Sequence, residues 1–169
     1  MERLYRASAR IARWGGAACL ALVLAAGLLT VADIVLRQAT GRGILGTTDI
    51  TQLLILAAAF AAIPHGFFAD THVSVDLLTE NLAPRRIALL KASGASLGVA
   101  LLALIGAFGA QQAVVEAGYG DSTSTINIPK TWFWVWLIAG SAYAAFAAAM
   151  VALRHGLVAL GRPDIGKGI

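Results

Sequence analysis

With 169 residues, 59% of them hydrophobic and 13% charged, and a mean hydropathy of +0.77, the chain is too apolar for a fold solvated by water on all sides. The formal net charge of +4 and a pI near 9.7 do not mark a nucleic-acid binder, because the basic residues gather at the ends of apolar stretches and form no patch interleaved with aromatics. Cys19 is the single cysteine, which excludes an intramolecular disulfide and leaves it as a small packing residue.

Apolar stretches run over 15–36, 50–69, 87–115 and 131–153. Each offers about the 20 residues that a helix needs to cross about 30 Å of hydrocarbon. The expected fold is all-α: an integral membrane protein of four transmembrane helices in a single domain over 1–169. Nothing left between them is long enough to bury a separate soluble core.

Arg3, Arg6, Arg10 and Arg13 precede the first span, and Trp14 stands at its edge as an interface anchor. A basic segment, an apolar run and Thr30-Val31-Ala32 together resemble a cleaved signal. The run, however, is longer than a signal core, and its loss would strand a basic C-terminus outside. Near the end of the span, Asp33 and Arg37 are spaced i, i+4, as a local ion pair requires.

After Gly41-Arg42-Gly43, the sequence Gly46-Thr47-Thr48-Asp49 leads into the second span. Asp49 is expected to cap the helix, with Gln52 completing a capping box. Pro64 should bend or fray its far end. The connector 70–82 is polar, with Val75, Leu78 and Leu82 at helical spacing, which predicts a short amphipathic helix in the interface, ended before Pro84.

The third span would be about 43 Å long if helical from 87 to 115, so it must tilt or project into water. Gly94 and Gly98 form a GxxxG ridge that Gly109 roughly continues. Trp132, Phe133, Trp134 and Trp136 open the fourth span as an aromatic belt at the second interface. Small residues recur at Gly140, Ala144 and Ala148, at Ser141, Ala145 and Ala149, and in the second span at Ala58, Ala62 and Gly66. Such ridges let helices approach closely, and four short helices need fewer of them for one another. Gly94, Gly98, Gly109, Ala58, Ala62, Gly140 and Ala144 are therefore expected to pack against a larger membrane partner within the lipid.

With the N-terminus in the cytosol, that side carries Arg3, Arg6, Arg10, Arg13, Arg85, Arg86, Lys91, Arg154, Arg162 and Lys167, and the far side only Arg37, Arg42 and Lys130. This asymmetry places both termini in the cytosol. The middle of each span is almost bare of ionisable groups, whereas pumps and membrane enzymes keep such groups deep in the bilayer. Gln111, Gln112 and Glu116 lie near the end of the third span. His65, His72 and His155 do not make the opposed intramembrane pair that a b-type haem requires. No phosphate loop, zinc-type cluster or nucleophile with a nearby base is present. No catalytic residue, metal site or cofactor is expected, and the chain is not read as an enzyme. A haem- or quinone-binding anchor of a redox complex is the alternative.

A family resemblance rests on three segments. Gly46-Thr47-Thr48-Asp49-Ile50-Thr51 is followed, after the second span, by Asp70-Thr71-His72-Val73-Ser74-Val75-Asp76-Leu77-Leu78, and Ser124-Thr125-Ile126-Asn127-Ile128-Pro129 leads into the aromatic fourth span. Together with length and span number, these resemble the small membrane subunit of TRAP (tripartite ATP-independent periplasmic) transporters, the DctQ family, with Asp49, His72 and Asp76 as its signature. Two departures stand out: Asp49 occupies a position where glutamate is more usual, and no basic residue precedes His72.

The resemblance implies a multi-pass protein of the bacterial inner membrane. Its partners would be a periplasmic solute-binding protein and a large multi-span subunit that holds substrate and sodium ions and moves in elevator fashion. This chain would brace the stationary scaffold of an importer of organic acids. Loops 41–48 and 118–130 would help dock the binding protein, and His72 and Asp76 would fix the cytosolic connector.

Overall fold

The computed structural model describes residues 2–69 and 83–161, which form four helices. They are α1 (Glu2–Thr40), α2 (Thr47–Phe68), α3 (Pro84–Tyr119) and α4 (Thr131–Ala159). All four are long and apolar enough to cross a membrane. The expected interfacial helix over 70–82 lies outside the described residues, as do His72 and Asp76.

Two helices are much longer than their apolar stretches. α1 has 39 residues and α3 has 36. At 1.5 Å per residue they measure about 58 and 54 Å, nearly twice the hydrocarbon thickness. Hydropathy marks only the lipid-embedded part of a helix. The turns before Trp14 continue α1 because nothing in 2–14 breaks a helix, and a buried side packs them down. α3 starts at Pro84, where a missing N–H costs nothing. It ends at Gly120, whose φ of 67° supplies the left-handed cap.

α2 and α4 form the middle of the bundle, with α1 packed on α2 and α3 packed on α4. α1 and α3 therefore stand on the outside. The seam of α4 is Ala144, Ala147, Ala148 and Val151, at i, i+3, i+4 and i+7, all buried against Phe67, Ala95 and Leu102. In lipid the hydrophobic effect does not drive helices together, so a stripe of methyl groups works by letting backbones come close. α1 approaches α2 closely at Gly15, where an added Cβ would lie 2.7 Å from the carbonyl oxygen of Ala61. A backbone oxygen has no freedom to swing away, so glycine is required there.

α2 runs through Pro64 without ending, to Phe68, and Pro64 is fully buried. Of the bend or frayed end expected there, the frayed end is not observed. His65 lies in the last turn of α2 with its ring against Gly16 of α1.

At the end of the bundle where α1 begins and α4 ends, α1 is fastened to α4. The Tyr143 hydroxyl donates to the carbonyl of Ser8 at 2.9 Å, and the Arg154 guanidinium donates to the Tyr5 hydroxyl at 3.0 Å. Arg154 also lies 5.6 Å from the Tyr5 ring centroid, and Phe68 meets that ring edge-on at 5.2 Å. Tyr5 is thereby held on three sides.

Candidate functional site

The opposite end of the bundle carries two connectors, 41–46 and 120–130, and two buried carboxylates organise them. Asp33 and Asp49 are each only 6% exposed. Burying a carboxylate is costly unless its oxygens are hydrogen-bonded, and both have donors. Asp33 accepts from the Arg37 guanidinium at 2.8 Å, as the i, i+4 spacing predicts, and also from the backbone N–H of Ile44. The second bond folds the first connector back onto α1.

Asp49 does not cap α2. Thr47 is the first helical residue, Gly46 occupies the cap position with φ of 82°, and no side chain bonds the helix start. Asp49 sits in the first turn, where its Oδ2 accepts the backbone N–H groups of Thr125 and Ile126, both at 3.2 Å. The carboxylate thus joins α2 to a loop more than seventy residues away. The cap box failed because a better claim on that side chain came from the tertiary fold. Gly46 serves the same junction: a Cβ there would lie 2.6 Å from Ile126, and its positive φ suits glycine.

The loop that Asp49 grips has its own internal ladder. Thr123 N–H donates to Ile128 O at 2.9 Å, and Ile128 N–H to Thr123 Oγ1 at 3.1 Å. Lys130 N–H reaches Asp121 O at 3.0 Å, and the Lys130 ammonium pairs with the Asp121 carboxylate at 3.3 Å. Asn127 takes φ of 54°, a left-handed conformation that asparagine tolerates. Beside the loop, Trp134 Nε1 donates to Glu116 Oε2 at 2.9 Å, locking α3 to α4. Glu116 is therefore a structural acceptor. A groove of about 450 Å³ opens below that bond, lined by Phe108, Gln111, Gln112 and Leu137 among others.

The small residues expected to face a partner fall in two groups. Ala58 and Ala144 are buried within the chain. Gly98 meets the Phe67 ring, Gly109 meets Leu137, and Gly140 meets Phe60. Ala62 is half-buried, and Gly94 alone of the seven is exposed with open space around it. Most of this set therefore serves packing between the chain's own helices. An uncovered ridge on α3 carries no glycine except that neighbour: Ser93, Ser96, Ala100, Ala103 and Ala107 run along it at alternating steps of three and four, all exposed. Ser93 and Ser96 turn their hydroxyls inward, to Leu90 O at 2.9 Å and Ala92 O at 2.8 Å, which leaves a narrow surface with no open donor.

Of the belt residues, Trp14, Trp132 and Trp136 are exposed, Trp14 at 74%, and Trp134 is half-buried by its bond to Glu116. Among the described residues no cluster of three His, Cys, Asp or Glu is placed to hold a metal. The acceptors of Asp33 and Asp49 are directed at backbone amides and Arg37, an arrangement that fixes loops and leaves no acid–base pair poised for proton transfer.

No curated protein and no solved structure matches the chain. A family model described as the DctQ component of tripartite ATP-independent periplasmic transporters matches residues 26–157, well over half of the sequence and the architecture from mid-α1 into the last turn of α4. The chain therefore belongs to the DctQ family, the small membrane component of TRAP transporters.

Proposed function

We propose that the chain is the scaffold-bracing subunit of a sodium-driven importer of organic acids. In this reading it lies in a bacterial inner membrane with both termini in the cytosol, beside a large subunit that carries substrate and sodium. The observation that carries it is the use made of the buried carboxylates. Asp33 and Asp49 tie connectors to helices, and the membrane-spanning interiors of the described residues offer no titratable relay for a cargo ion. A component built this way holds shape.

The exposed α3 ridge from Ser93 to Ala107 is the face for the large subunit, because small side chains let a second helix pack at backbone distance in lipid. The connectors at the other end, 41–46 and 120–130, are held rigid by Asp33 and Asp49 and provide a surface for the solute-binding protein. Rigid loops lose little entropy on docking. The excess of Lys and Arg at the terminal end supports the stated orientation.

The test is uptake of a labelled organic acid into vesicles containing the large subunit and the loaded binding protein, with and without this chain. Uptake should require both membrane subunits and an inward sodium gradient, and the large subunit alone should still bind sodium. Full transport by the large subunit alone would remove the bracing role.

A further inference from the structure

The outward face of α1 changes character once, and sharply. Arg3, Arg6, Arg10 and Arg13 fall within an arc of about 80° on a helix of 3.6 residues per turn. All four are exposed, while Tyr5, Ser8, Ala9 and Ala12 on the other side are buried against the bundle. The same outward arc then continues through Trp14, Leu24, Leu28 and Val35, all exposed and apolar or aromatic. From Trp14 to Val35 is about 32 Å at 1.5 Å per residue, the thickness of the hydrocarbon layer. The arginines begin where the hydrocarbon stops.

Their depth is equally specific. Along the axis Arg13 and Arg10 lie about 2 and 6 Å beyond Trp14, inside a headgroup layer of about 5–8 Å. Arg6 and Arg3 lie about 12 and 17 Å beyond it, past the phosphates though within about one or two Debye lengths of them. The face cannot rotate away, because Tyr5 is bonded by Arg154 and packed by Phe68, and Ser8 is bonded by Tyr143. Guanidinium groups held at phosphate level beside an interfacial tryptophan are matched by one chemistry above others, the anionic phosphodiester of a lipid headgroup.

We infer that the first four turns of α1 form a binding site for anionic phospholipid, in which Arg10 and Arg13 contact the headgroup phosphate, Trp14 sets its depth, and Arg3 and Arg6 add longer-range attraction. The site is independent of which solute the transporter carries. It gives this component a preference for anionic lipid in the leaflet that α1 enters first.

The experiment is native mass spectrometry of the purified full-length chain in detergent, titrated with phosphatidylglycerol or with phosphatidylcholine of the same acyl chains. Wild type should retain phosphatidylglycerol preferentially. Each arginine at the surface contributes about five-fold in affinity, so R10Q/R13Q should lower that preference about 25-fold and R3Q by less. Glutamine keeps helix propensity, and R10K/R13K should restore most of the binding. R85Q/R86Q, at the start of α3, should lower it by less than R10Q/R13Q does. Equal retention of the two lipids by wild type, or undiminished phosphatidylglycerol binding by R10Q/R13Q, overturns the inference. So does a variant that keeps its lipid preference and instead loses an acidic protein partner in lipid-free detergent.

Discussion

Replacing Asp49 with alanine removes the acceptor of two part-buried backbone N–H groups, those of Thr125 and Ile126. Hydrogen bonds to a charged group are worth about 1.5–3 kcal/mol each, and an orphaned buried donor adds its own desolvation cost. With part of that loss recovered as water reaches the loop, about 2 kcal/mol of local stability should go. Amide exchange at Thr125 and Ile126 should then accelerate about 30-fold, while amides in the middle of α4 keep their protection. Asp49→Asn retains one acceptor oxygen and should fall between. Undisturbed exchange at Thr125 and Ile126 in Asp49→Ala would show that the loop holds itself through its own ladder. Asp33 repeats the same logic over eleven residues, and Asp49 over more than seventy, so only the first has a partner visible from local spacing.

At the scale of elements, the junction of α1 and α2 depends on a glycine at 15. A leucine there must push its Cβ from within 2.7 Å of the Ala61 carbonyl, and the helices can only separate. Overpacking of this kind costs about 1–3 kcal/mol, so Gly15→Leu should lower the apparent melting temperature of the purified chain by several degrees. Gly94→Leu is the matched control, since its Cβ enters open space, and its melting should equal that of wild type. Equal melting of Gly15→Leu and wild type would mean that α1 docks elsewhere.

The number and order of the helices were legible in the sequence because hydropathy reports directly on contact with lipid. Their full lengths were not, because α1 before Trp14 is held by Tyr5, Ser8 and Ala12 against other helices, and no hydropathy window sees a helix partner. The role of small residues was half legible. Gly98 and Gly140 do mark close helix contacts, yet spacing cannot tell whether the neighbour is Phe67 and Phe60 of the same chain or a second subunit. The Asp33–Arg37 pair was legible from its i, i+4 spacing, and the reach of Asp49 to the 120–130 loop was not.

For the whole molecule, the row α1–α2–α4–α3 leaves two outer helices with broad uncovered faces. One of them must meet the large subunit if the chain is to brace it. α3 presents Ser96, Ala100, Ala103 and Ala107 in one exposed ridge, with Leu97, Leu101 and Leu104 beside it. A partner helix seated on that ridge comes within backbone contact and is gripped by the flanking leucines, the arrangement that small-xxx-small packing rewards in lipid. Widening the ridge should therefore separate the subunits without disturbing this chain, because none of these alanines packs inside the bundle. Ala100→Trp and Ala103→Trp should each reduce co-purification of the large subunit by about ten-fold, the order expected for losing 1–2 kcal/mol of helix packing. Their melting temperatures in isolation should equal wild type, which separates them from Gly98→Leu, where the added side chain strikes Phe67 and destabilises the chain itself. The same tryptophans placed on α1, at Ala21 and Ala25, serve as the comparison: if those abolish co-purification while the α3 pair does not, the brace faces the large subunit with α1, and the ridge on α3 faces lipid.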